Sequence, residues 1–113
     1  MIILVIDDHP SVAIAVLTVA GHTVRTAVTA ADGLALLTSG TWDAVMLDLG
    51  LPDVTDIGAW VRSVRDVFVG RIVVSSAVMP DDVHRAAALI AATPLSKPHT
   101  SMALRMAVVG DAP

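Results

Sequence analysis

A handful of residues in this chain could do chemistry together, and each of them follows a short apolar run. Asp7-Asp8 follows Ile2 to Ile6, Asp48 follows Ala44 to Leu47, Ser75-Ser76 ends the run that begins at Ile72, and Lys97-Pro98 follows Leu95-Ser96. Crowded carboxylates repel one another and bind protons more tightly unless a cation sits among them. Oxygen donors of this kind suit a hard ion, and Mg²⁺ typically takes one or two carboxylates together with waters and phosphate oxygens. A phosphoryl group in transfer needs a nucleophile in line, a metal on its oxygens and a further positive donor for the charge spread over them. Asp48 can be the nucleophile, as carboxylates are in forming aspartyl phosphates. The metal can take one phosphoryl oxygen, Lys97 a second and the Ser76 hydroxyl a third.

Each part alone is weak. An aspartate after a strand usually caps a helix or meets solvent, a serine there can simply close a turn, and a Lys-Pro pair is commonplace. What carries weight is their order along the chain, at the ends of the first, third, fourth and fifth strands.

The elements that must position these residues follow from periodicity. Ile2 to Ile6 is continuously apolar, as expected of a strand buried on both faces. A helix follows, with Pro10 near its first turn, and stops at Gly21. His22 to Ala27 reads as the second strand. Thr29 is a candidate N-cap and Asp32 favours a helix start, so the second helix runs to about Ser39-Gly40. Ala44 to Leu47 is the third strand. After a loop through Asp56, the third helix carries Ile57, Val61, Val64 and Phe68 on one side and breaks at Gly70. Ile72 to Ser75 is the fourth strand, and Asp81 is expected to cap a helix reaching Ala91. Leu95-Ser96 is the fifth strand, and a last helix spans Thr100 to Val109. Alternation of this kind, with right-handed crossovers, gives an α/β fold: a doubly wound parallel sheet of five strands with helices on both faces. Sites in such sheets form in the crevice at the carboxyl ends of the strands, where the residues above fall.

Composition narrows the classes. The 113 residues are enough for one domain and too few for two separate cores, and 55% of them are hydrophobic. Disorder and a membrane span are both unexpected, since the apolar runs are patterned and none reaches about 18 residues. A basic leader is missing before Ser11 to Ala20, so that run is a poor signal peptide. With no cysteine, a reducing, cytoplasmic setting is expected. A net charge of −4, with no glutamate and Lys97 the only lysine, argues against direct nucleic-acid binding.

Taken together, the motifs resemble those of the receiver domains of bacterial response regulators, over nearly the full length. Asp7-Asp8-His9-Pro10 is similar to the opening of the group whose output domain is a helix-turn-helix. Met46-Leu47-Asp48-Leu49-Gly50-Leu51-Pro52-Asp53 resembles the phospho-acceptor segment, Ser76-Ala77 the Ser/Thr-Ala pair after strand 4, and Lys97-Pro98 the lysine followed by a cis-proline. The resemblance implies a CheY-like, flavodoxin-like (βα)5 fold with strand order 2-1-3-4-5, and one receiver domain over residues 1–113. An output domain beyond Pro113 stays open, as does transcription regulation through it. The resemblance also implies that Asp8, Asp48 and the Gly50 carbonyl hold Mg²⁺, with Asp7 acting through water. Asp48 then takes phosphate from a histidine kinase or phosphotransfer protein, and Ser76 turns inward to meet it. The expected product is a two-component signalling switch that catalyses only its own phosphorylation and dephosphorylation, not an enzyme for external substrates.

Three departures from that pattern stand out. Pro94 occupies the place of the aromatic residue that swings inward on phosphorylation. Asp56 stands where glycine is usual, and is expected to accept a left-handed backbone. The first helix lacks charge and should expose Val, Ile or Leu; in the family that helix docks the kinase or phosphotransfer partner. The face from the fourth to the fifth helix carries few charges besides Asp81, Asp82, Arg85 and Arg105, so a homodimer through it remains open. His9 is expected at the rim rather than on a metal, and His22, His84 and His99 at the surface. Trp42 and Trp60 are expected as partial core, with neither adjoining Asp48 in sequence. The main rival is a pseudo-receiver of the same fold that binds partners without phosphorylation, which Pro94 and Asp56 favour. A haloacid-dehalogenase-type phosphatase would need a second aspartate where Gly50 stands. A cobalamin module would need glycine where Val12 stands, and a flavodoxin would need a Thr/Ser-rich phosphate loop after strand 1.

Overall fold

A computed structural model describes residues 1–110 of the chain. The apolar runs form five strands and the intervening segments five helices: β1 (Ile2–Ile6), α1 (Ser11–Val19), β2 (Thr23–Ala27), α2 (Ala30–Ser39), β3 (Ala44–Leu47), α3 (Ile57–Val67), β4 (Arg71–Ser76), α4 (Pro80–Leu89), β5 (Thr93–Ser96) and α5 (Ser101–Val109). All pairings are parallel, and the strand order is β2-β1-β3-β4-β5. This is the doubly wound arrangement expected from the alternation.

The three central strands are apolar on both faces because helices cover both. Ile3, Val5, Ala44, Met46 and Val73 pack with Ala13 and Leu17 of α1 and Leu104 and Val108 of α5. Leu4, Ile6, Val45, Leu47, Ile72 and Val74 pack on the other side against α2, α3 and α4. Burying each of these larger side chains contributes about 1.5–3 kcal/mol relative to exposure. Glycine is required at one packing point: a Cβ on Gly33 of α2 would lie 2.7 Å from the Ile6 side chain. That close approach seats α2 directly over the end of β1.

Local signals set several boundaries. Thr29 and Thr100 cap α2 and α5, their hydroxyls accepting from Asp32 N at 3.2 Å and Ala103 N at 3.0 Å. Other expectations are corrected. Asp81 does not cap α4; Met79 holds that position without a side-chain bond, Pro80 occupies the first turn, and Asp81 and Asp82 follow it there. Proline at the first helical position lacks only an N–H that would have no helical partner, so it starts the helix one residue before Asp81. Phe68 packs on the same core as Val61 and Val64 but is the C-cap of α3 rather than part of the helix, so α3 ends ahead of Gly70. β4 and β5 begin one and two residues earlier than the apolar runs suggested, because Arg71 pairs with Ala44 and Thr93 with Val73. Pro94 lies in β5 at the sheet edge, where a missing N–H is tolerated. The expected left-handed backbone at Asp56 is absent: its φ is −128° and ψ 104°, and its carboxylate caps α3 by accepting from Ala59 N at 3.0 Å. An aspartate there has its own local use, which removes the need for glycine.

Helix α1 does expose apolar side chains, among them Val12, Ile14 and Val19. Among the described residues, no helix is long and apolar enough to cross a membrane.

Candidate functional site

The carboxyl ends of β1, β3, β4 and β5 bring the candidate residues to one rim, around a cleft of about 850 Å³ lined by Asp7, Asp8, Asp48, Gly50, Ser76 and Lys97, among others. Asp7 and Asp48 are buried, only 3% and 7% exposed. Buried charges persist when they are paired and hydrogen-bonded, and the partners are present here. Lys97 Nζ donates to Asp7 Oδ2 at 2.7 Å and lies 3.7 Å from Asp48 Oδ2. Asp7 Oδ1 accepts from the main-chain N–H of His9 at 2.9 Å.

Asp48 is held asymmetrically. Its Oδ1 accepts from the Ser76 hydroxyl at 2.6 Å and from Gly50 N at 3.1 Å. Its Oδ2 has the Lys97 ammonium at a longer 3.7 Å. Burial pushes the Asp48 carboxyl up, but the Ser76 and Gly50 hydrogen bonds and the Lys97 charge outweigh it and hold the group below the usual carboxylate range. The acid is therefore an anion at neutral pH, with Oδ1 hydrogen-bonded twice and Oδ2 3.7 Å from the Lys97 ammonium.

One carboxylate oxygen each from Asp7, Asp8 and Asp48 can be chosen so that all three lie within 4.8 Å of one another. Three anions against one ammonium leave an excess of negative charge. An all-oxygen donor set of that charge fits Mg²⁺ and fits softer transition metals poorly. His9 is exposed, with Nε2 3.8 Å from Asp8 Oδ2, and stands at the rim as expected. The Lys97-Pro98 peptide bond is cis.

Some residues at the rim were not legible from sequence. Trp60 is buried, and its indole N–H donates to the Asp48 main-chain carbonyl at 2.9 Å. The tryptophan is thus beside Asp48 in space, although 12 residues separate them. His99 was expected at the surface. It is half-buried instead, lines the cleft, and has Nε2 3.4 Å from the Ser75 hydroxyl. Asp53 leaves the loop after Asp48 to meet the start of α2, accepting from Ala30 N at 2.8 Å and Ala31 N at 3.0 Å. Those two N–H donors hold its carboxyl below the ordinary range. No spacing rule announces a side chain that caps another helix; only the alternation of apolar residues in α3 hinted that Trp60 faces inward.

The chain was compared with known proteins. Residues 3–109 match the response regulator receiver domain family. No curated protein sequence matched. Among solved structures, a two-component response regulator from Clostridium difficile superimposes with a TM-score of 0.82 at 20% identity, covering 93% of this chain and 89% of that one. A CheY-like receiver domain protein from Methanospirillum hungatei JF-1 gives 0.78 at 20% identity, covering 92% and 86%. A response regulator from Burkholderia pseudomallei, described with a phosphorylated aspartic acid, calcium ion and citrate, gives 0.79 at 22% identity, covering 95% of this chain and 65% of that one.

Proposed function

The chain belongs to the response regulator receiver domain family, and on that premise we propose that it is a phosphorylation-dependent switch of a two-component system whose acceptor is Asp48. The observation that supports this most is the division of labour on the Asp48 carboxylate. Oδ1 is held by Ser76 and Gly50, while Oδ2 has the Lys97 ammonium 3.7 Å away.

In the proposed reaction, Oδ2 attacks the phosphorus of a phosphohistidine on a histidine kinase or phosphotransfer protein. A P–O bond to Asp48 forms as the P–N bond breaks, and the leaving imidazole nitrogen keeps the electron pair and takes a proton from solvent. Asp8, Asp48 and the Gly50 carbonyl would hold Mg²⁺, with Asp7 behind them through water. When bound, the ion neutralises charge developing on the phosphoryl oxygens. Lys97 supplies a second positive contact, and the Ser76 hydroxyl exchanges its carboxylate partner for a phosphoryl oxygen. Held by the strand ends, these groups meet the phosphoryl group already oriented. The reaction serves the switch itself, with no external substrate turned over. Output through a helix-turn-helix domain and regulation of transcription, a cytoplasmic setting, dimerisation and the lack of direct nucleic-acid binding belong to the same reading.

The test is phosphoryl-donor treatment in Mg²⁺, followed by intact-mass measurement. One phosphoryl group should be gained by the native chain and none by Asp48→Asn. The second reading, a pseudo-receiver that signals by binding alone, draws support from Pro94, which cannot act as a rotating aromatic gate. Asp56 no longer favours it, since that residue caps α3 without strain. Failure of the native chain to gain mass would favour the pseudo-receiver.

A further inference from the structure

Both main-chain polar groups of Asp48 are tied down, from different parts of the molecule. Its N–H donates to Ile6 O at 2.9 Å and continues the pairing with β1. Its carbonyl lies one residue past the last paired position of β3, Leu47 with Val74, where the chain leaves the sheet for the loop. The partner it finds is the Trp60 indole N–H, 2.9 Å away in a buried setting. Trp60 is itself fixed in the first turns of α3, its main-chain N–H donating to Asp56 O at 3.0 Å. The Asp56 carboxylate in turn caps that helix through Ala59 N. An unbroken line of hydrogen bonds therefore runs from the start of α3 to the backbone of the acceptor.

We propose that Trp60 is a positioning residue for phosphoryl transfer at Asp48 and that its indole reports the state of that carboxylate. The proposal rests on Asp48 being the acceptor. A peptide carbonyl and the carboxylate of the same residue turn about a shared Cα, so freeing the carbonyl lets Oδ2 drift from the line of attack. Ser76 and Gly50 fix only Oδ1, and the Lys97 ammonium 3.7 Å from Oδ2 is too distant for a hydrogen bond that would set its direction. Misplacement of a reacting group by about 1 Å can slow a reaction by about 100-fold, so a partial loss of restraint is expected to cost about tenfold. Trp42 supplies an internal contrast. Its indole N–H donates to Leu36 O at 3.1 Å, just ahead of β3 and at the opposite end of that strand from Asp48.

The experiment measures phosphorylation by a small acyl phosphate in saturating Mg²⁺, across donor concentrations, for the native chain, Trp60→Phe and Val64→Ala. Phenylalanine keeps an aromatic ring and loses the donor. Val64→Ala loosens the same helix at a buried position that does not line the cleft. Expected are an about tenfold lower maximal rate for Trp60→Phe, with little change in half-saturating donor concentration, and a native rate for Val64→Ala. In parallel, Trp42→Phe leaves Trp60 as the only emitter; its emission should change on adding Mg²⁺ and then donor, and the donor response should vanish when Asp48→Asn is added. A native rate in Trp60→Phe, or an equal slowing in Val64→Ala, overturns the positioning role while leaving Asp48 as acceptor. A silent Trp60 emission overturns the reporter role. Absence of any phosphorylation in the native chain overturns both the acceptor assignment and this inference.

Discussion

The two ends of the sheet handle charge in opposite ways. At the end where the strands begin, the Arg65 guanidinium reaches from α3 to four main-chain carbonyls: Ile90 at 2.8 Å, Phe68 at 3.1 Å, Gly70 at 2.8 Å and Ala91 at 3.3 Å. Its donors are spent on the ends of α3 and α4, where helical carbonyls lack partners. Arg71 likewise donates to Thr93 Oγ1 and the Ala107 carbonyl. At the carboxyl end, three aspartates crowd together, and only two of them, Asp7 and Asp48, have the Lys97 ammonium within 4 Å. The first end uses polar groups to close the structure. The second holds unbalanced charge in place, as sites do when stability is yielded for chemistry.

This contrast can be broken or sharpened by removing charges at each end, with and without Mg²⁺. The largest loss is expected for Arg65→Ala. It strands the part-buried carbonyls of Ile90 and Phe68, at the C-caps of α4 and α3, and should cost roughly 3 kcal/mol of unfolding free energy. Urea denaturation should show the same loss whether or not Mg²⁺ is present. Lys97→Ala should cost roughly 2 kcal/mol in metal-free buffer, because the buried Asp7 carboxylate loses its partner. That is less than the roughly 3–5 kcal/mol of a fully buried pair, because the ammonium is part-exposed. Here millimolar Mg²⁺ should restore most of the loss, since a cation can replace the missing charge. Equal behaviour of the two variants toward Mg²⁺ would dissolve the distinction between the ends.

A smaller effect of opposite sign is expected for Asp8→Asn. Its carboxylate is the member of the cluster without the Lys97 pairing, so its removal should stabilise the metal-free chain by about 0.5–1 kcal/mol at low salt. The same change should shrink the rise in melting temperature that Mg²⁺ gives the native chain. If Asp8→Asn destabilises the metal-free protein, the rim is less strained electrostatically than its composition implies.

The smallest effect concerns acid. Asp53 loses its proton more readily in the folded chain because Ala30 N and Ala31 N donate to it. Its contribution is therefore complete above the unfolded aspartate value of about 3.9 and is lost as pH falls through the lower folded value. Asp48, also lowered, acts in the same direction. Asp53→Asn should flatten the acid limb of a stability-against-pH curve and leave stability at pH 5 to 7 nearly parallel to native. An unchanged acid limb would mean that this clasp between the loop and α2 contributes nothing in solution.

Much of the architecture was legible because its causes are local. Ala44 to Leu47 reads as a strand because its four residues are apolar in sequence, and it is one, over those same residues. Thr29 reads as a cap because its hydroxyl needs to reach only three residues ahead. The convergence of Asp7, Asp8, Asp48, Ser76 and Lys97 was legible too, since a parallel sheet sends every strand end to one edge. The misreadings have equally physical origins. Asp81 lost the cap position to Pro80, and Asp56 found a capping role that a rule about glycine did not contain.

The sequence by itself determined the alternation of strands and helices, the layered core and the meeting of Asp7, Asp8, Asp48, Ser76 and Lys97 at one rim. Those follow from periodicity and from bonds within a few residues along the chain. Which partner each rim group takes was decided only by tertiary structure: the Trp60 indole on a carbonyl 12 residues back, Asp53 on a helix start 23 residues away, and Lys97 on a carboxylate 90 residues away. A hydrogen bond depends on tenths of an ångström between atoms brought together by packing, and no spacing along the chain encodes that distance.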